Sequence, residues 1–157
     1  MDGRRRVALG AALLALGLLD VYPGPFEEVS PVRPRSVDLW LAEQPGEGAV
    51  AEFPFELQEE HSHVFFSLTH GKPILGGFFN AFPPPQYRRI RPVMARFPDQ
   101  DSVDLLHDLG VRYVIVSRRE YADFEGLDES VQALGLSLAV ETETESVYLL
   151  GLGSARR

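Results

Sequence analysis

The strongest constraint on the fold is a strand at residues 111–116, which is apolar at nearly every position. A strand with apolar side chains on both faces is typical of the centre of a sheet that helices cover on both sides. Just before it, a helix capped by Asp101 or Ser102 is predicted to end at Gly110, since glycine suits the left-handed residue that follows a helix. A helix, a glycine and a buried strand in this order indicate an α/β architecture.

The other predicted elements fit the same architecture. A second unit has a cap at Asp128, a glycine at Gly135 and a strand at residues 136–140, and a final strand follows at residues 147–152. Upstream, the predicted elements are a short helix capped by Ser36, a strand at residues 49–55, a helix within residues 56–70 and a helix within residues 86–95. We therefore predict an α/β fold with an open mixed β-sheet and packed helices, preceded by one N-terminal hydrophobic helix.

That first helix has the composition of a membrane anchor or a signal. Arg4, Arg5 and Arg6 precede an uncharged run at residues 7–19, which Asp20 ends. The run is shorter than the roughly 20 residues of a typical spanning helix, although flanking arginines can reach the headgroups. A secretory signal has the same charged start and short apolar core, but no small-x-small cleavage site follows. We expect a retained transmembrane or signal-anchor helix rather than a cleaved signal.

The predicted domain organisation has three parts. Residues 1–22 are the membrane anchor or last transmembrane helix, residues 23–48 are a proline-rich linker with a short helix, and residues 49–157 are a non-cytoplasmic α/β domain. Because arginines next to a membrane segment stay on the cytoplasmic side, residues 23–157 are expected on the extracytoplasmic side of the cell membrane. The lipid bilayer is therefore the first expected partner.

Composition excludes several classes of function. The net charge of −8 would repel phosphate backbones, so no nucleic-acid partner is predicted. The absence of cysteine removes disulfides, thiolate metal sites and cysteine nucleophiles. Gly76 and Gly77 lack the spacing of a phosphate-binding loop, and we interpret them as a turn that requires positive φ. No cofactor is predicted.

His61 and His63 are the first candidate site residues. On a strand they would share a face and could both bind zinc, whereas on a helix they point about 200° apart. Because the segment is predicted to be helical, we predict no metal site there. The same histidines, with nearby acids, would supply the acid–base groups of a small hydrolase.

Tyr87, Arg88, Arg89 and Arg91 form a basic island in an acidic chain. They lie within residues 78–98, where aromatic residues and prolines alternate without clear periodicity, as in functional loops. If they face the membrane or a neighbouring segment, the guanidinium groups would bind a lipid phosphate; the alternative is a helix face paired with the domain's own acids. The full set of candidate ligand-binding residues is His61, His63, His70, Lys72, Asn80, Tyr87, Arg88, Arg89 and Arg91, with no catalytic residue assigned.

The order of several segments resembles one known family. A hydrophobic segment and a proline-rich exit precede Ala-Val-Ala-Glu-Phe-Pro-Phe at residues 49–55 and His-Gly-Lys-Pro-Ile-Leu-Gly-Gly at residues 70–77. An aromatic-proline loop and Leu-Gly-Val-Arg-Tyr-Val-Ile-Val at residues 109–116 follow. Across residues 7–152 this order resembles the C-terminal non-cytoplasmic domain, with the last transmembrane helix, of bacterial polytopic GT-C-type membrane glycosyltransferase-like proteins.

The resemblance implies a location, partners and a ligand class for this chain, but no catalytic residue. Such proteins transfer a sugar from a polyprenyl-phosphate donor outside the cytoplasm, and their catalytic acid lies in a loop near the first transmembrane helices. No matching position is present here, so no catalytic residue is carried over. The expected partners are a missing N-terminal transmembrane region or a separate polytopic membrane subunit, with a glycan or polyprenyl phosphate as ligand.

Three hypotheses of function follow. The first is a non-catalytic extracytoplasmic accessory domain of a membrane glycosyltransferase-like system, which contacts a glycan or a lipid phosphate. The second is a free-standing membrane-anchored binding or assembly module, which predicts an exposed aromatic patch in residues 78–97. The third is a small hydrolase, which predicts a cleft where His61 or His63 meets acidic side chains.

Overall fold

The computed structural model describes residues 3–20, 22, 33–56, 60–77 and 82–151. The chain forms two compact units, Met1–Arg33 and Pro34–Arg157. The first contains helix α1, Gly3–Asp20, where the sequence predicts a hydrophobic helix. Among the helices of the described residues, none is both long enough and apolar enough to cross a membrane. The anchoring role of α1 stays a prediction.

The second unit is an α/β domain around one sheet. Its elements in chain order are α2 (Ser36–Glu43), β1 (Ala49–Phe53), α3 (Glu60–His70), β2 (Ile74–Leu75), α4 (Pro85–Met94), α5 (Gln100–Asp108), β3 (Val111–Ser117), a 3₁₀ turn (Arg118–Glu120), α6 (Phe124–Ala133), β4 (Ser137–Glu141) and β5 (Glu145–Leu149). The five strands have the order β2-β1-β3-β5-β4, and β5 alone is antiparallel to its neighbours. This confirms the predicted α/β class with an open mixed sheet and packed helices.

Helices cover both faces of the sheet. On one face, Met94, Leu106 and Val131 of α4, α5 and α6 are buried in the larger apolar cluster. On the other face, Val37 and Leu41 of α2 pack in a second cluster with side chains of β1, β3 and β5. The central strand β3 contributes to both clusters, as its apolar sequence predicts.

Helix α2 belongs to the α/β unit rather than to a linker, because the boundary between the units falls between Arg33 and Pro34. The sequence predicts that Val37, Leu39, Trp40 and Leu41 form the apolar face of this helix; Val37 and Leu41 are fully buried, whereas Leu39 is 53% exposed. The predicted cap at Ser36 is wrong, because the helix already includes that residue and Arg35 precedes it as the N-cap.

The predicted cap of α5 is also wrong by two or three positions. Asp99, in extended conformation, is the N-cap, and its Oδ1 accepts the backbone N–H of Ser102 at 2.8 Å. The Ser102 Oγ in turn accepts the backbone N–H of Asp99 at 3.1 Å. This reciprocal pair satisfies two N–H groups at once, so it decides where the helix begins. Gly110 follows the helix with φ 71°, as predicted.

Helix α6 begins five residues earlier than the sequence suggested. Asp123 is its N-cap and accepts the backbone N–H of Gly126 at 3.0 Å. Asp128, the predicted cap, lies inside the helix, where its Oδ1 accepts the Tyr148 hydroxyl at 2.7 Å. The predicted C-terminal glycine is confirmed, since Gly135 has φ 89°.

Smaller differences concern strand ends and one helix face. The strands predicted at residues 49–55 and 147–152 are Ala49–Phe53 and Glu145–Leu149. On α3, the sequence predicts that Leu68 clusters with Leu57, Val64 and Phe65, but Leu68 is 77% exposed. The turn interpretation of Gly76 and Gly77 is confirmed by φ values of 128° and 156°.

We expect Asp99→Ala to lower the free energy of unfolding by about 0.5–2 kcal/mol, because it removes the cap of α5. Hydrogen bonds from Arg96 and Ser102 hold the pKa of Asp99 below its ordinary value. Its stabilising effect is therefore complete above the ordinary pKa of about 3.9 and is lost as the pH falls through the lower pKa of the folded protein. Urea unfolding of the wild type and the variant at pH 7 and at lower pH should show this difference shrinking.

Asp101→Ala tests the alternative cap position in the same helix turn. Its carboxylate is 75% exposed and pairs with Arg96 only at the surface, so its loss should cost less than the loss of Asp99. An equal or larger cost for Asp101→Ala would contradict the assignment of Asp99 as the cap.

Candidate functional site

The most distinctive position in this sheet is the carboxyl edge of β1 and β3, which are adjacent and parallel. From the end of β1 the chain runs through α3 to β2, the strand at one edge of the sheet. From the end of β3 it runs through α6 to β4, the strand at the opposite edge. Adjacent strands whose connections leave in opposite directions open a crevice at their carboxyl ends, and open α/β sheets bind ligands there.

A cavity of about 250 Å³ lies at this edge. Its lining comes from α2, β1, α3, β3, the 3₁₀ turn and β5, through Arg35, Glu52, Phe53, Pro54, Ser62, His63, Phe66, Ile115, Ser117, Glu120 and Glu145. At about 30 Å³ for each water molecule, this is room for about eight waters, or for one small ligand. The lining combines apolar walls with several polar groups, as small-molecule sites usually do.

Glu52 is the central polar group of this cavity. It is a charged residue in an apolar strand, and it is only 5% exposed. Its Oε2 accepts a hydrogen bond from Arg35 Nη1 at 2.8 Å and lies 3.6 Å from His63 Nε2. Its Oε1 is buried and has no hydrogen-bond partner among the described residues. A buried carboxylate oxygen without a donor is costly, so it marks a place where a ligand donor would be favourable.

Arg35 is held firmly on the wall of the cavity. Its Nη2 and Nε donate to the two oxygens of Asp38 at 2.7 and 3.0 Å, and Nη1 donates to Glu52. Its guanidinium also lies 4.1 Å from the ring centre of Phe66. Burial alone would lower the pKa of Arg35, but the hydrogen bonds that it donates to Asp38 and Glu52 outweigh this effect and raise it. The guanidinium is therefore permanently charged and already committed to carboxylates.

The cavity lining carries an excess of negative charge. Glu52, Glu120 and Glu145 contribute carboxylates, and Arg35 is the one arginine or lysine among the described lining residues. The hydroxyl of Thr144 donates to Glu145 Oε2, and that of Thr142 lies 3.2 Å from the same oxygen, so neutral groups orient this carboxylate without neutralising it. This arrangement disfavours an anionic ligand and favours a neutral or positively charged one.

Of the candidate histidines, the structure places His63 in the cavity. The helical prediction for this segment is confirmed by α3. The side chain of His61 lies outside the described residues. Within the part of the chain that is described, no group of three His, Cys, Asp or Glu side chains is arranged to hold a metal ion.

His70 and Lys72 lie at the opposite, amino-terminal edge of β1 and β2, beside a second cavity of about 390 Å³. Lys72 Nζ donates to the carbonyl oxygens of Gln44 and Gly46 at 2.8 and 3.2 Å, and so holds the C-terminal end of α2. His70 Nδ1 accepts the backbone N–H of Lys72 at 3.0 Å. Burial lowers the pKa of His70, which favours the neutral ring. Both side chains therefore make structural contacts, while His70 Nε2 is buried without a hydrogen-bond partner among the described residues.

Tyr87 does not face solvent with the arginines that follow it. It is 3% exposed and stacks on Phe55, with 5.3 Å between the ring centres. Its neighbours Arg88, Arg89 and Arg91 are exposed on α4. None of the three forms an ion pair with a carboxylate of the described residues, whereas the nearby Arg96 pairs with Asp99 and Asp101. Asn80 lies outside the described residues.

The predicted surface from His61 to Arg91 is therefore divided among separate places. His63 lies at the carboxyl edge of the sheet, His70 and Lys72 at the amino edge, and the arginines on α4, which covers the face opposite α2.

Sequence reasoning missed Arg35, Asp38 and Glu52. The signal that would have pointed to them is the single charged residue in the apolar strand at residues 49–53. A charged group in a buried strand requires a charged partner, because an isolated buried charge is costly. Asp38 also interrupts the apolar face of a short helix that Arg35 directly precedes, which is a second indication of a buried ion pair.

No protein-family model, no curated protein and no solved structure matches this chain. The family resemblance described above therefore stays an interpretation of the order of its segments.

Proposed function

We propose that this chain is a non-catalytic extracytoplasmic domain that binds a glycan as an accessory part of a membrane glycosyltransferase-like system. The observation that carries the binding function is the cavity at the carboxyl ends of β1 and β3, which Glu52 lines and where the second carboxylate oxygen of Glu52 is buried without a donor among the described residues. A buried acceptor without a donor costs about 1–3 kcal/mol. A ligand that donates a hydrogen bond there recovers this cost, which is a direct source of affinity.

A saccharide suits the remaining groups of the cavity. Its hydroxyl groups donate to Glu52, Glu120 and Glu145, and they accept from the hydroxyls of Ser62 and Ser117. The hydrocarbon faces of a sugar ring would pack against the apolar part of the wall, formed by Phe53, Pro54, Phe66 and Ile115. The volume of about 250 Å³ admits one ring and not a long chain.

The membrane setting belongs to the same proposal. Arg4 and Arg5 begin α1 and suit the cytoplasmic end of an anchor, so residues 23–157 would lie outside the cytoplasm at the cell membrane. The exposed side chains of Arg88, Arg89 and Arg91 have the charge and geometry to bind phosphate groups of lipids, including a polyprenyl phosphate. A polytopic membrane subunit, or further transmembrane helices, would carry the chemistry of transfer.

A second candidate function is favoured by one contact. His63 Nε2 lies 3.6 Å from Glu52 Oε2 in a cavity that Ser62 and Ser117 also line. Histidine, carboxylate and hydroxyl are the groups of a hydrolase, although Arg35 already holds the carboxylate. The free-standing anchored module, the third hypothesis, remains a prediction. Among the described residues of 78–97, Phe82, at 89% exposure, is the aromatic side chain that supports it.

The test uses the full-length chain in detergent micelles with a panel of neutral and amino monosaccharides. Isothermal titration calorimetry should detect binding, and Glu52→Gln should weaken it by about tenfold or more. The matched control Glu143→Gln removes an exposed carboxylate that does not line the cavity, and it should leave affinity unchanged. Mass spectrometry of the same mixtures, with polyprenyl-phosphate sugars and ester substrates added, should find no product.

The outcomes separate the candidates. Product formation that His63→Ala abolishes would replace the binding proposal with the hydrolase. An absence of binding throughout the panel would contradict the glycan proposal.

A further inference from the structure

We propose that this cavity recognises a primary ammonium group and that Glu52 Oε1 is its acceptor. The saccharide part of the ligand rests on the proposed function, which makes the natural ligand class an amino sugar. The ammonium part rests on the cavity alone.

The first argument is the unmatched acceptor. Glu52 is 95% buried, given its 5% exposure, and Arg35 satisfies one of its oxygens while the other has no hydrogen-bond partner among the described residues. A carboxylate accepts strong, short hydrogen bonds from charged donors, and an ammonium group provides three donors in a compact volume. A hydroxyl group would satisfy the same oxygen less strongly.

The second argument is the charge of the wall. Arg35 is shared between Asp38 and Glu52, so its positive charge is opposed by two carboxylates before the other acids are considered. Glu120 and Glu145 add two more carboxylates to the lining. Arg35, Asp38 and Glu52 together are therefore already one positive charge short before Glu120 or Glu145 is counted. An ammonium ion supplies that charge.

The third argument excludes a phosphate in this cavity. Phosphate recognition requires arginine or lysine donors that are available to the ligand. In the described lining that role falls to Arg35 alone, and its Nε, Nη1 and Nη2 already donate to carboxylates at 2.7–3.0 Å. Lipid phosphate contacts, where the protein makes them, are thereby assigned to the exposed arginines of α4 and not to this site.

The experiment uses two matched sets of probes with the full-length chain in micelles. Cyclohexylamine and cyclohexanol differ in the ammonium group and carry no sugar. Glucosamine, glucose and glucose 1-phosphate share one ring and differ in charge. By calorimetry we expect glucosamine to bind about tenfold or more tightly than glucose, cyclohexylamine to bind more tightly than cyclohexanol, and glucose 1-phosphate to bind weakest.

Two variants locate the effect. Glu52→Gln should abolish the preference for the amine in both sets, and circular dichroism will report whether the variant is folded. Because loss of this carboxylate also affects Arg35, Glu120→Gln provides a second variant at an exposed position of the lining. This variant should weaken the binding of glucosamine and cyclohexylamine severalfold and leave the affinity for glucose unchanged. Glu143→Gln should change neither affinity.

The results distinguish this inference from the proposed function. Equal binding of glucose and glucosamine, unaffected by Glu120→Gln, would overturn the ammonium inference and leave glycan binding intact. Binding of cyclohexylamine at Glu52, without binding of any sugar, would support the ammonium site and contradict the glycan proposal. If glucose 1-phosphate bound most tightly of the three sugars, the inference that the cavity favours a positively charged ligand would be overturned.

Discussion

Replacing Arg35 with methionine is expected to lower the free energy of unfolding by about 3–5 kcal/mol. Asp38 is fully buried and Glu52 is 5% exposed, and Arg35 is the cation that both carboxylates contact at 2.7–2.8 Å. Removing it leaves two buried negative charges close together, each without its strongest donor. Urea unfolding followed by circular dichroism measures the loss directly.

Two further variants sharpen this test. Arg119→Met makes the same chemical change at an exposed position and should alter stability by no more than about 0.5 kcal/mol. Arg35→Met combined with Asp38→Leu removes one of the stranded charges, so it should recover part of the loss. A loss below about 1 kcal/mol for Arg35→Met alone would show that water solvates these carboxylates, and that the cavity wall is less dry than its burial indicates.

Truncating Leu41 to alanine is expected to destabilise the protein by about 2–5 kcal/mol, which is the usual range for a buried leucine. Leu41 is fully buried in the cluster that joins α2 to the sheet. If residues 36–48 formed only a linker, this substitution would cost little. The measurement is the midpoint and slope of urea unfolding.

Leu39→Ala is the matched control on the same helix. Leu39 is 53% exposed, so the same change of side chain should cost about 0.5 kcal/mol or less. Because both substitutions replace leucine with alanine in one helix, differences in helix propensity largely cancel. Equal effects of the two variants would contradict the packing of α2 on the sheet. Since Arg35 directly precedes α2, this packing also positions one wall of the candidate site.

The buried network that these variants test lines the candidate binding cavity. The Arg35–Asp38–Glu52 network is costly to assemble in a protein interior, and well-packed apolar residues often match or exceed the stability of such networks. Its location beside a crevice at the carboxyl ends of two parallel strands fits a binding role better than a purely stabilising one. Buried carboxylates at such a position orient a ligand, while the rest of the sheet supplies a rigid support.

Several elements of this protein were predictable from short stretches of sequence. The helices before Gly110 and Gly135, the strands that follow them and the helix at Pro85–Met94 all form where the sequence predicts them. Such features depend on interactions within a turn or a strand: apolar side chains at helical spacing, and glycines that adopt positive φ without strain. The apolar character of β3 also identified it as the central strand, because a strand with apolar side chains on both faces must be buried on both faces.

The start of each helix was less predictable. Several acids, and Ser102, near residues 99–102 and 123–128 can serve as caps, and the choice among them depends on the backbone conformation that each residue adopts. Asp128 instead contacts Tyr148, a residue on a strand that packs against its helix. That contact exists because of tertiary packing and leaves no trace in the local pattern.

By itself, then, the sequence determined the class of fold, its central strand and most of its elements, because these follow from local periodicity and backbone preference. The tertiary structure decided the candidate site. Arg35 and Glu52 are 17 residues apart and meet only because α2 packs against the face of the sheet towards which Glu52 points. The crevice beside them exists because β1 and β3 are neighbours with connections that diverge. Strand order depends on long-range pairing and on the burial of both sheet faces, and no local pattern encodes it.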